Sequence, residues 1–271
     1  MADDFTQQII HLEKIRKRKK WAIFSIPILI IVLLVLIKVF FIKPAPTCFD
    51  GIKNGKEEGI DCGGPCLACG IKYAQPIEVV STKILSETLN TSQVLIQIKN
   101  SNAEYGVTFD YTATLYSAFG EKLKTISSKD FILPFSTKYL LLQKIDIPAE
   151  KINRVEVNFN YQTKDWFYSD KKTTDLFSIP NKQLRMMRPD EAGFLEVQAQ
   201  IKNNTNIDFA EVEIIILLFS KTGEIINAAK TQTFDVAAYS TRPITYVWLY
   251  NFPDSNILDL YHIEIIADAH K

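Results

Sequence analysis

The sequence predicts a mainly β chain. Two tandem antiparallel immunoglobulin-like β-sandwiches follow an N-terminal transmembrane helix and a small disulfide-rich module. Three observations predict this. Residues 21–42 form one long apolar run, all four cysteines fall within residues 48–69, and the chain beyond residue 73 repeats itself at a fixed offset of 103 residues. The boundaries that follow are a basic cytoplasmic tail (1–20), the transmembrane helix (21–42), a Cys-rich module (43–72), β-sandwich 1 (73–165), a connector (166–178) and β-sandwich 2 (179–271).

A bilayer core needs about 20 predominantly apolar residues in a helix. The run from Trp21 to Ile42 has 22 residues with Lys38 as its one charge, and residues 28–37 are all aliphatic. At ~1.5 Å per residue it reaches roughly 33 Å, enough to cross with slight tilt. It is longer than a signal-peptide core and no Ala-x-Ala site follows it, so it reads as an uncleaved signal anchor. Ala45-Pro46-Thr47 before Cys48 does not form a lipoprotein cleavage box. Lys14, Arg16, Lys17, Arg18, Lys19 and Lys20 precede the run, whereas only Lys43, Lys53 and Lys56 follow within twenty residues. Basic residues stay on the cytoplasmic side, so the N-terminus is expected inside and the C-terminal domains extracytoplasmic. Trp21 and the Phe40–Phe41 pair suit the two interfaces, Lys38 can lift its ammonium to the headgroups, and Pro27 is placed to kink the inner third.

The tail is too short for a signalling domain. Phe5, Ile9, Ile10 and Leu12 suggest a helix running into the span, with residues 16–20 lying on anionic lipid at about 1 kcal/mol per charge. The net charge of zero sums unlike parts: residues 1–43 hold eight Lys/Arg against three Asp/Glu, the remainder 23 against 28. An acidic ectodomain argues against a nucleic-acid partner.

Cys48, Cys62, Cys66 and Cys69 are even in number, clustered, and on the oxidising side of the predicted membrane, which favours two disulfides. About 22 residues cannot bury a core, so covalent staples must replace one. Three connectivities are open. A Cys₄ zinc site is the alternative, but only Cys66 and Cys69 have knuckle spacing. Asp50, Asn54, Glu57, Glu58 and Asp61 have oxygens suited to calcium, yet not at EF-hand spacing, and read better as turn-forming side chains.

Cys48, Asp50, Gly51, Asn54, Gly55, Glu57, Asp61, Cys62, Gly63, Gly64, Cys66 and Cys69 fit the pattern C-x-D-G-x-x-N-G-x-E-x-x-x-D-C-G-G-x-C-x-x-C. This stretch resembles a Cys-rich motif of bacterial surface proteins. The resemblance implies an extracytoplasmic bacterial protein and no activity.

The repeat is read from matched strings. Gln-Val-Leu-Ile-Gln-Ile-Lys-Asn at 93–100 is answered by Glu-Val-Gln-Ala-Gln-Ile-Lys-Asn at 196–203, Leu115-Tyr-Ser117 by Leu218-Phe-Ser220, and Gly120 by Gly223. Each copy alternates apolar and polar residues with period two, as strands with one buried face do. Val94, Ile96 and Ile98 form one such row, and Val107, Phe109, Tyr111, Ala113 and Leu115 another. Seven or so short strands in about 95 residues point to a sandwich of immunoglobulin type. The Asn ending one strand and the L-Y-x-x-x-G before a hairpin are similar to the FxLYD-type domain of bacterial envelope proteins. That resemblance implies a small β-sandwich module of binding or unknown role. Ala113, Ile216, Ser117 and Ser220 stand where the family name has its Phe and Asp.

The copies differ on one row. Asp110, Thr112, Thr114 and Tyr116 of the first correspond to Glu213, Ile215, Leu217 and Phe219 of the second. The opposite row of copy two, Val212, Ile214, Ile216 and Leu218, is apolar as well, so this strand is expected to be covered on both faces. Ile215, Leu217 and Phe219 are therefore a predicted interface, closed by copy one, by the connector or by another chain.

Known catalytic signatures are missing: no Gly-x-Ser-x-Gly, His-Glu-x-x-His, P-loop or dinucleotide turn. Beyond the span only His262 and His270 occur, the first reading as a strand surface residue and the second as part of the terminus. Asp165 and Asp170 have no geometry to recommend them as a pair. No catalytic, metal or cofactor-binding residue is nominated, and no cofactor is expected. Trp166, Phe167 and Tyr168, which open the connector ahead of the Pro- and Lys-containing stretch 171–189, would seal the joint between the sandwiches or form a stacking platform. The expectation is a non-catalytic, membrane-anchored binding or assembly protein of a cell envelope, with membrane lipid and an envelope protein or another copy as partners. An enzyme, or a regulatory subunit, with its site at the joint is the alternative.

Overall fold

The structure, a computed structural model, describes residues 2–41 and 46–269. Expectations that fall on Ile42, on residues 43–45 and on His270 lie outside the described residues, as do those on the side chains of Phe40 and Phe41. The chain divides into two compact units, residues 1–67 and 68–271.

In the first unit, helix α1 (Ala2–Phe41) carries both the basic tail and the apolar run. Its segment Arg18–Lys38 is long and apolar enough to cross a membrane, and its described apolar side chains, Trp21, Leu29 and Ile31 among them, are exposed. Pro27 lies inside the helix. The Cys-rich segment that follows is built from turns and one isolated bridge, Gly59 to Cys62.

The second unit opens with one helical turn, α2 (Cys69–Lys72), and continues almost entirely as antiparallel strands. In the first copy these are β1 (Glu78–Ser86), β2 (Ser92–Asn100), β3 (Tyr105–Tyr116), β4 (Lys122–Ile132), β5 (Ser136–Ile145), β6 (Arg154–Asn160) and β7 (Trp166–Tyr168). A short helix, α3 (Thr173–Leu176), leads to β8 (Phe177–Ser178), β9 (Gln183–Met186), β10 (Leu195–Asn203), β11 (Phe209–Ser220), β12 (Ile225–Val236), β13 (Thr241–Trp248) and β14 (Leu258–Asp268).

Each copy is two facing sheets. In the first, β1–β2–β5 faces β4–β3–β6, with β7 also paired to β3; in the second, β13–β10–β8, with β9 also paired to β10, faces β12–β11–β14. The apolar rows read from the sequence meet between them. Val94, Ile96, Ile98, Phe109, Ala113 and Leu140 fill the first core, and Val197, Ile201, Ile214, Ile216, Leu218 and Ile263 the second. Full burial of such a side chain stabilises by about 1.5–3 kcal/mol, which is what holds each pair of sheets together.

Equivalent positions share local geometry. Gly120 and Gly223 both adopt left-handed backbone (φ +80° and +84°), where a Cβ would be strained. The hydroxyls of Ser117 and Ser220, three residues earlier, each accept two backbone N–H bonds that close the hairpin, from Phe119 and Glu121 and from Thr222 and Glu224.

The segment expected as a bare connector is partly strand. β7 joins the first sandwich through Tyr105, Gly106 and Val107, and β8 joins the second through Lys202 and Asn203. Three- and two-residue strands are too short to show a period in sequence, so only their pairing identifies them.

Candidate functional site

The joint between the sandwiches is the most developed internal site. Its centre is apolar: Leu85, Leu95 and Leu141 from the outer face of the β1–β2–β5 sheet pack with Ile215, Leu217, Phe219 and Ala228 from the outer face of the β12–β11–β14 sheet. The row that looked over-apolar in the sequence is thus covered from within the chain. Copy one was among the covers the sequence left open, but Leu85, Leu95 and Leu141 were not singled out, since Leu95 and Leu141 stand within apolar runs of their strands.

The contact is head-to-tail, because the two copies contribute different sheets. The equivalents of Leu95 and Leu141 in copy two are exposed Gln198 and Thr245, and those of Ile215 and Leu217 in copy one are Thr112 and Thr114. A heterologous contact propagates when both faces recur on every unit. Here each face occurs once, so the pairing closes at two.

His262, expected on the surface, is half-buried instead and stacks on Phe219 with ring centroids 4.0 Å apart and planes 10° from parallel. Its row on β14 faces the joint, so the apolar ring of Phe219 covers it.

Trp166, Phe167 and Tyr168 do not form one platform. Strand alternation splits them: Trp166 packs on the first core and meets Tyr161 edge-on, while Phe167 turns to the second core. Tyr168 is 66% exposed and meets Tyr105 edge-on. Phe167 also fits where any side chain larger than hydrogen at residue 106 would collide, since a Cβ on Gly106 would stand 2.4 Å from its ring.

One end of the joint is charged. Lys138 of β5 is 3% exposed and Asp268 of β14 is 4% exposed. The Lys138 ammonium lies 2.5 Å from Asp130 Oδ1 and 3.2 Å from Asp268 Oδ2, and 3.8 Å from the centre of the Phe131 ring. The contact to Asp268 Oδ2 is an ion pair without hydrogen-bond alignment. The other oxygen, Oδ1, accepts from the Ala269 N–H at 3.0 Å and the Thr173 hydroxyl at 3.5 Å. Glu213, beside Asp268 on β11, pairs with Lys230. Burial alone would lower the Lys138 pKa, but the carboxylates of Asp268, Asp130 and Glu213 outweigh it and hold the ammonium protonated. Burial raises the Asp268 pKa, with Lys138 opposing. Burial and the Asp130 charge push the Tyr111 phenol up to about 12.

This cluster had little sequence signal. Lys138 occupies the row of Leu140 and Leu142, and Asp268 ends an apolar strand, but Asp130 lies in the facing sheet and Asp268 in the other sandwich. Asp165, by contrast, caps its own turn by accepting from the Gln162 N–H, and Asp170 is an exposed partner of Lys171.

The Cys-rich segment is oxidised. Cys48 is bonded to Cys66, Cys62 and Cys69 are disulfide-bonded as well, and no cysteine is free. The motif's polar letters hold backbone. Asp61 accepts from the N–H groups of Asp50 and Gly51, Asp50 from Ile52 and the Asn54 amide, and Glu57 from Asn54 and Asp61. The Asn54 bond leads the effects that lower the Asp50 pKa. Gly64 (φ +59°) is tightest, since a Cβ there would stand 2.1 Å from the Lys56 carbonyl oxygen. Cys48, Cys66 and Glu57 lie close enough together to suggest a metal trio, but sulfurs joined to each other are not thiolate ligands.

No protein-family model matches the sequence, and no curated protein matches it. Solved structures do match, among them red sea bream transglutaminase, 10% identical over 74% of this chain and 32% of that one with a TM-score of 0.24. The chain thus spans about a third of that structure's length, and a likeness so distant carries no argument about activity.

Proposed function

We propose that this is a membrane-anchored, extracytoplasmic binding or assembly protein of a cell envelope. On this reading one span holds it with its N-terminus in the cytoplasm, and its two sandwiches engage an envelope protein or another copy without turning over a substrate. The observation that carries the reading is the order of the chain: basic helix start, apolar run, then oxidised cysteines. Lys and Arg are retained in the cytoplasm, and disulfides persist in oxidising compartments, so two independent rules give one orientation. The resemblance of residues 48–69 to a bacterial surface motif supports the same side of the same membrane.

The closed joint supports binding over catalysis there. Lys138 and Asp268 are each under 5% exposed, so a diffusing substrate has no path to their charges. The surfaces left for partners are the outer sheet faces and loop tips. The orientation is tested by Ser101→Cys, an added thiol at an exposed turn, in intact cells. Labelling of that thiol by an impermeant maleimide is expected. Labelling only after the membrane is opened would reverse the orientation.

A further inference from the structure

We propose that Lys138 and Asp268 condense without any enzyme into an amide that ties the two sandwiches together covalently, with Asp130 as the proton carrier. The inference rests on the side-chain cluster alone and stands whether or not the membrane reading does.

Amide formation from an amine and a carboxyl needs contact, a base for the ammonium proton, donors for the developing oxyanion, and exclusion of water. All four are present. Nζ of Lys138 is 3.2 Å from Asp268 Oδ2, in contact with the carboxyl whose Cγ it would attack, and 2.5 Å from Asp130 Oδ1, within proton-transfer reach. The Ala269 N–H and the Thr173 hydroxyl already point at Asp268 Oδ1, where negative charge would develop. The side chains of Lys138, Asp268 and Asp130 are 4%, 6% and 10% exposed, and the Phe131 ring covers the ammonium.

The acceptor and base are told apart by their surroundings. Burial favours the neutral acid at whichever of the two carboxyls it shields more. Asp268 is the more deeply buried, and Lys138 meets its Oδ2 without hydrogen-bond alignment, which suits the acid that is attacked. Asp130 holds the ammonium in a hydrogen bond, which suits the base.

The step balances without oxidant or reductant. Asp130 takes one proton from the ammonium, and the freed amine attacks Cγ of Asp268. The C–N bond forms, and Oδ1 carries the charge between its two donors. Asp130 returns the proton to Oδ2, already a hydroxyl, which leaves as water as the C–O bond breaks, and Asp130 then takes the second nitrogen proton. Nζ keeps one hydrogen, water takes two and Asp130 holds the fourth. A buried ammonium and a buried carboxylate give way to neutral groups, removing the cost of holding two ions away from water.

The test is the mass of the full chain, purified from its membrane in detergent without reductant and denatured before measurement. The expected mass is lower than the sequence mass by one water, in addition to the four hydrogens lost to the disulfides. Proteolysis should yield a branched peptide joining the segments that contain Lys138 and Asp268. Lys138→Arg and Asp130→Asn should each restore the missing water. A wild-type chain at full mass would overturn the proposal whatever the variants do. A branch from Lys138 to Asp130 would overturn the choice of acceptor, and a branched peptide from the Asp130→Asn variant would overturn the role of Asp130.

Discussion

Asn100 and Asn203, 103 residues apart, are the same buried amide used twice. Asn100 ends β2 and Asn203 ends β10, the central strand of the corresponding sheet in each sandwich, and they are essentially unexposed, at 1% and 0%. The Asn100 amide donates to the carbonyls of Tyr105 and Leu133, and that of Asn203 to Ile207, Val236 and Ala237. Each side-chain oxygen accepts the N–H two residues on, from Asn102 and Thr205. One side chain therefore fastens the turn after its own strand to the loop that links the two sheets.

The amides are expected to matter because the bonds they make are buried or half-buried. Removing a buried partner costs about 1–3 kcal/mol for each polar group left unsatisfied. Asn100→Ala and Asn203→Ala should each lower unfolding stability by about 2–4 kcal/mol on that basis. Denaturant titration measures it. A loss below the error of the titration at either site would show that the loops are held by packing alone.

The repeat and the sheets were legible because period two and the 103-residue offset are local or additive signals. Val94, Ile96 and Ile98 show their face within five residues. The row of Ile215, Leu217 and Phe219 was legible as covered, because apolar residues on both faces of a strand conflict with water. What covered it was not legible, since Leu85, Leu95 and Leu141 lie on three strands that only the fold brings together. The charged end was hidden for the same reason. Lys138 finds Asp130 on another sheet and Asp268 in the other sandwich, and no spacing along a chain encodes that meeting. His262 was misjudged because alternation tells which face a side chain takes, and not whether that face meets another domain.

The second prediction concerns pH. Arg185 holds Glu191 through two bonds of 2.8 and 3.0 Å and also reaches Glu196 at 2.5 Å, so it ties the β9–β10 turn to the sheet. The bond from Arg185 leads the effects that hold the Glu191 carboxyl down at about 2, against an ordinary 4.5. A carboxyl whose pKa falls on folding contributes stability above its unfolded value, lost as pH drops through the folded one. The loop should therefore loosen between about pH 4.5 and pH 2, by a modest amount because the pair is exposed to solvent. Arg185→Met should return the Glu191 titration, followed by carboxyl NMR, toward the ordinary range. An unmoved titration in that variant would assign the shift to other contacts.

The third prediction tests what the joint contributes. Leu217 is fully buried and Ile215 nearly so, both against the first sandwich, so replacing the pair with Thr removes apolar contact and inserts two hydroxyls. Large-to-small changes at such sites cost about 2–5 kcal/mol each, and a buried hydroxyl without a partner adds to that. The equivalent positions in the first copy are already Thr112 and Thr114, so the fold of a single sandwich accommodates threonine there. The damage should therefore fall on the contact between sandwiches more than on either core. The expected outcome of Ile215→Thr with Leu217→Thr is a lower unfolding midpoint together with protease cutting in residues 169–176, the stretch between the sandwiches. If a cross-link holds Lys138 to Asp268, the cut chain stays joined after reduction, which separates a loosened joint from a severed one. Unchanged stability and unchanged protease resistance would mean that the apolar centre does not hold the sandwiches together.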